Sequence, residues 1–130
     1  MRKSLFLAVA FLLVAMSAFA HHGTGASYDQ NKLVTLTGTV TEFVFSNPHA
    51  QLFFDVKDNS GAVVHWGAEL QSPGNLRRAG WSKTTFKPGD QVTLSVNPSK
   101  AGTPVGVLDR AKPIVVNGKP LPAEPANNAE

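Results

Sequence analysis

No cysteine occurs anywhere in the 130 residues. That excludes disulfide cross-links, a thiol nucleophile and a lipid-modified N-terminal cysteine. Aromatic residues are sparse, with two Trp and one Tyr. Surplus charge is small too. The 12 basic and 9 acidic side chains give +3, and without Arg2 and Lys3 the balance is 10 against 9. A polyanion-binding surface carries a larger basic excess and more stacking aromatics, so a nucleic-acid partner is not expected. After the first 20 residues there is no further long apolar run.

What is present begins with an export signal. Arg2 and Lys3 form a short positive region, and Leu5 to Met16 is apolar. Ala18-Phe19-Ala20 has the small-x-small pattern of a cleavage site. The alternative is a membrane anchor, but the run from Leu5 to Ala20 falls short of the ~20 residues that span a bilayer. Residues 1–20 therefore read as a signal peptide, and the mature chain starts at His21. A periplasmic or secreted, soluble, monomeric domain is expected, with no membrane attachment after cleavage.

Residues 21–32 are polar and Gly-rich without a period, and read as a flexible, extended arm. Val34, Leu36, Gly38 and Val40 alternate with threonines, which predicts a strand. The apolar phase then shifts to Phe43 and Phe45, as a β-bulge would produce. A long, bent first strand from Leu33 to Phe45 follows. Leu52, Phe54 and Val56 form a second alternation, and Val64, Trp66, Ala68 and Leu70 a third. Only a three-residue loop, Asn59-Ser60-Gly61, puts both apolar sets on one face. That register pairs Phe54 with Trp66, Asp55 with His65 and Phe53 with Gly67.

Ser72-Pro73 opens a short helix that ends at Gly80, with Arg77-Arg78 as its solvated C-terminal turn. Trp66 and Leu76 read as core, and Trp81 as a cover for the barrel bottom. Val92, Leu94 and Val96 form a fourth strand, and Val105 to Val116 a fifth, open to a break at Pro113. Asn117-Gly118 is a hairpin turn. Residues 120–130 are rich in Pro, Ala, Asn and Glu and are expected to be disordered. The order of elements predicts an all-β fold over residues 33–119. It is a small five-stranded OB-like Greek-key barrel, with one short helix between strands 3 and 4. A β-sandwich would need about seven strands.

Several stretches form a recognisable set. They are His21-His22, Leu36-Thr37-Gly38-Thr39-Val40, Asn47-Pro48-His49-Ala50, Asp55-Val56-Lys57-Asp58 and His65-Trp66. Ser72 to Trp81 and Lys87-Pro88-Gly89-Asp90 complete it. The chain resembles a family of small exported bacterial proteins classed as a domain of unknown function. The resemblance implies a secreted β-barrel-like domain and brings no activity or ligand with it.

Two candidate sites follow from the residues. Barrels of this kind bind ligands across strands 2 and 3 and the adjoining loops. There the outer face offers Gln51, Phe53, Asp55, His65 and Glu69 to a protein or small ligand of the cell envelope. Phe53 is open to another role, contact with the arm or with Trp81. The alternative is a copper site. A mature N-terminal His21 supplies an amine and a ring nitrogen, and with His22 and His49 it forms a donor set suited to Cu(II). Against it stands the plain reading of a solvated terminus and a turn histidine. No Gly-x-Ser-x-Gly elbow exists, and an Asp55–His65 pair on a smooth sheet lacks an oxyanion site, so catalysis is not expected.

Overall fold

The first strand organises the molecule, because it is long enough to work in two ladders. The computed structural model describes residues 24–122. In chain order it contains α1 (Thr24–Ser27), β1 (Val34–Val44), β2 (Gln51–Lys57), β3 (Val63–Glu69), α2 (Pro73–Arg78), β4 (Gln91–Pro98), β5 (Val105–Leu108), β6 (Val115–Val116) and β7 (Lys119–Pro120). The first half of β1 runs antiparallel to β4, from Val34 opposite Val96 to Thr39 opposite Gln91. Its second half runs antiparallel to β2, from Thr39 opposite Asp55 to Val44 opposite Gln51. β2 pairs with β3, β3 with β5 in parallel, and β5 with β4. The order β1-β2-β3-β5-β4 thus closes back on β1. This is the expected five-stranded OB-like barrel, with α2 between β3 and β4.

Alternation dictates what the barrel encloses. Leu36, Val40, Leu52, Phe54, Ala68, Val92, Leu94 and Val96 point inward and are buried. Leu76, Trp81 and Phe86 extend this core at the α2 end. Trp81 meets Phe86 edge-on at 5.6 Å between centroids, and Phe86 meets Phe43 at 4.9 Å. Trp66 is only partly buried and packs against the core from its margin.

Two glycines answer local demands. A Cβ on Gly38 would stand 2.3 Å from the Asp55 carbonyl oxygen, so the β1–β2 crossing has room only for hydrogen there. Gly61 has φ +84°, as the three-residue β2–β3 loop requires. The hairpin register is the expected one throughout, with Phe54 opposite Trp66 and Asp55 opposite His65.

α2 is capped by Ser72, whose side chain accepts from the Asn75 N–H, with Pro73 in the first turn. At the other end the Trp81 N–H donates to the Leu76 carbonyl and the Gly80 N–H to that of Arg77. That pair of bonds is a Schellman motif.

Four features differ from the sequence-based expectation. The bulge lies between Val40 and Glu42, so Thr41 is the extra residue, slightly before the phase change at Phe43. The arm is not free along its length. Residues 24–27 form a helical turn, Asp29 donates to the Pro98 carbonyl and Lys100 to the Ser27 carbonyl, each at 2.9 Å. Ser27–Asp29 thereby satisfies backbone groups at the end of β4. The break allowed at Pro113 is wider than that one residue: the fifth strand is divided into β5 and β6, which pair with successive parts of the same β4 edge. Finally, β7 pairs with β6 across the Asn117-Gly118 turn, whose φ angles are 49° and 81°. The Leu121 N–H reaches the Ile114 carbonyl and the Trp81 indole donates to the Pro122 carbonyl. Residues 120–122, expected with the tail, are therefore part of the fold. Residues 1–23, His21 and His22 among them, and 123–130 lie outside the described residues.

Candidate functional site

The outer face of β2 and β3 carries all five expected residues, but it does not gather them into one site. Asp55 and His65 pair across the strands, and the Asp55 carboxylate bonds His65 Nδ1. The His65 side chain is 83% exposed, which leaves its Nε2 in solvent. Phe53 lies flat over Gly67, where an added Cβ would meet its ring at 3.3 Å. A glycine facing an aromatic ring across strands shields the backbone and anchors the register. Phe53 is half-buried there.

Glu69 belongs to a different neighbourhood, two pairs further along, where it faces Gln51. The Tyr28 hydroxyl donates to its Oε2 at 2.9 Å. His49 Nδ1 stands 3.6 Å from its Oε1 and 3.0 Å from the Leu70 carbonyl oxygen. Carbonyl and carboxylate oxygens only accept, so Nδ1 carries a proton and faces both of them. Burial raises the Tyr28 phenol to about 12, helped by its bond to Glu69 and by that carboxylate's charge. One carboxylate thus ties together the arm, the end of β3 and the β1–β2 loop.

His49 and Glu69 border a cleft of about 540 Å³. Gln30, Leu70, Gln71, Asn97 and Val107 to Ala111 complete its lining. The volume falls within the ~300–1,000 Å³ range of small-molecule sites. That lining mixes apolar Leu70, Val107 and Leu108 with polar and charged groups. The Asp109 Oδ1 accepts from the Ala111 N–H, which shapes the far rim.

Sequence reasoning missed Tyr28, Gln30, Asp109 and Arg110. The one available sign was that the chain's single tyrosine sits in an otherwise polar arm. Arg77 is exposed, as expected, and its guanidinium also lies over the Phe45 ring at 5.1 Å. Of the proposed copper ligands only His49 is described. Among the described residues no three His, Asp or Glu side chains are placed to hold one metal ion. No helix among them is long and apolar enough to cross a membrane.

The closed barrel with its polar-rimmed cleft defines the class: a small all-β barrel of OB-like topology. The model of a family of unknown function, DUF6152, matches residues 10–112, and the chain belongs to that family. No curated protein and no solved structure matches it.

Proposed function

We propose that this protein is an exported binding module that takes a small polar ligand in the cleft between His49 and Asp109. The observation that carries this reading is the shared Glu69 carboxylate. By holding Tyr28 and His49 together it fixes one wall of a concave site before any ligand arrives, and a fixed wall lowers the ordering cost of binding. The site adjoins the strand 2 and 3 face at its Glu69 end rather than its Asp55–His65 centre. Export is supported by the charged, apolar and small-residue segments of residues 1–20.

A thermal-shift screen of the mature protein tests the reading, using a panel of amines, amino acids, nucleosides and monosaccharides. At least one compound should raise the melting temperature. Its affinity should fall by about tenfold in Asp109→Asn or His49→Ala, the loss of one or two polar contacts. A panel without any stabilising compound, or one whose effect ignores both substitutions, contradicts it.

A second reading is supported by the fixed orientation of His49. A metal-binding imidazole commonly donates its other N–H to a carbonyl or carboxylate, as His49 Nδ1 does here. Tyr28 is docked on Glu69 beside His49, only a few residues after the mature start. A Cu(II) site would combine His49 with His21 and His22, which lie outside the described residues. Calorimetry with Cu(II) on a chain beginning at His21 tests this. Submicromolar binding that His49→Ala weakens supports it, and binding untouched by His22→Ala with His49→Ala removes it.

A further inference from the structure

The core is finished at one end of the barrel and unfinished at the other. At the α2 end Leu76, Trp81 and Phe86 are buried. The opposite end is where β1 begins and β2 and β4 finish. Here alternation makes Val34, Val56 and Trp66 the continuation of the inward rows that hold Leu36, Phe54 and Ala68. They pack against the core yet stay partly exposed. The cause is a parting of strands. The β1–β2 ladder stops at Thr39 opposite Asp55, while β1 pairs with β4 as far back as Val34. The end of β2 is therefore left without β1 as a ladder partner.

Two clefts reach these side chains. One, of about 500 Å³, is lined by Thr35 to Thr37 of β1 and by Val56 to Asn59. The other, of about 620 Å³, is lined by Val34, by residues of the arm and by the β4–β5 connection. Val64 and Trp66 line both, so the two clefts have apolar side chains in common. Neither shares a lining residue with the cleft at His49.

The charges around them favour an anion. Lys32, Lys57 and Lys100 stand against Asp29 and Asp58. Both carboxylates are engaged by their own loops. Asp58 Oδ1 accepts from the Ser60 N–H, the Ser60 hydroxyl and the Ala62 N–H, and Asp29 Oδ1 accepts from the Asn31 N–H. Lys32 and Lys57, one in each cleft, are exposed and form no ion pair among the described residues.

We infer that this end of the barrel binds a small organic acid with an apolar body, of the fatty-acid class. Its chain covers Val34, Val56, Val64 and Trp66, and its carboxylate meets Lys32 or Lys57. Removing the exposed part of the inward rows from water supplies the affinity. A charge-assisted bond to lysine selects the acid over a neutral molecule of the same shape. This second site is separate from the one proposed at His49.

The test is titration of the full mature chain with decanoate and with decanamide, which has the same chain and no charge, followed by amide and indole NMR signals. Decanoate should saturate below its micellar concentration. It should move the signals of Val34, Val64 and the Trp66 indole and leave that of the buried Trp81 in place. Decanamide should bind about tenfold more weakly, for want of the charged contact. Lys32→Gln with Lys57→Gln should bring decanoate down to the affinity of the amide and leave the amide's own affinity unchanged. Both positions are exposed, so the fold should tolerate the change. Absence of saturation overturns the inference. So does equal binding of acid and amide, or binding indifferent to the double substitution. Shifts that fall on the His49 cleft instead also overturn it and leave the small-ligand reading intact. Concentration-dependent shifts at Trp66 without ligand would assign this end to a second copy. Binding to phosphatidylglycerol vesicles without binding of free decanoate would assign it to a membrane surface. Either result overturns the inference as well.

Discussion

The Tyr28 hydroxyl donates to the Glu69 carboxylate across 41 positions of sequence. It joins the arm to the end of β3 and holds the wall of the cleft on which the functional reading rests. Because this is the chain's single tyrosine, its titration reports the contact directly.

The phenol is held up at about 12, above its ordinary value near 10. A raised pKa means that the contact's stabilisation is complete below the unfolded value. It is lost as pH climbs through the folded one. Ultraviolet difference absorbance should therefore show tyrosine ionising about two units late in the native protein. Glu69→Gln should bring the midpoint back toward the ordinary value. A native midpoint near 10 would mean that the arm is not docked.

Asp90 gives the opposite pH dependence. Its carboxylate accepts from the Lys87 N–H and the Asn117 side-chain amide, and these bonds hold its pKa below the usual carboxylate value. The stabilisation is present above the unfolded pKa and disappears as pH falls through the lowered folded one. Urea midpoints of Asp90→Asn should lie below those of the wild type at neutral pH. The gap should narrow in strong acid.

Gly38→Ala should destabilise the barrel by about 1–3 kcal/mol, the usual range for overpacking. The new Cβ would meet the Asp55 carbonyl at 2.3 Å, and backbone cannot move aside as a side chain can. Urea denaturation measures this. A change within about 0.5 kcal/mol, typical of a surface position, would show that the crossing is looser than described.

Trp81→Ala should cost about 3–5 kcal/mol, as large aromatic truncations in cores do. The ring is buried, meets Phe86 edge-on and donates to the Pro122 carbonyl. Protease sensitivity of the segment following Ile114 should rise with it, because that bond is one of its attachments.

The barrel could be read from the chain because its signals are local. Two apolar alternations and one glycine at a left-handed position determine the β2–β3 register, and no distant residue is needed. The Ser72-Pro73 start and Gly80 stop of α2 are equally local. The bulge was harder to place. Val40 keeps its inward position while Thr41 is accommodated outside, so the visible phase change comes later, at Phe43. His49 and Glu69 stood out in the sequence, but nothing local joined them into one cleft. Tyr28 and Glu69 meet through tertiary closure, and Asp109 and Arg110 reach the site because β5 ends beside the His49 loop. Periodicity grouped Glu69 with Asp55 and His65, since all three share an outer face. Position along the strand separates them.

Amide chemical-shift mapping of a compound that stabilises the protein tests the functional reading most directly. Shifts concentrated at His49, Glu69 to Gln71 and Val107 to Ala111 are predicted. Shifts centred on Phe53, Asp55 and His65, with the His49 cleft unchanged, would contradict it.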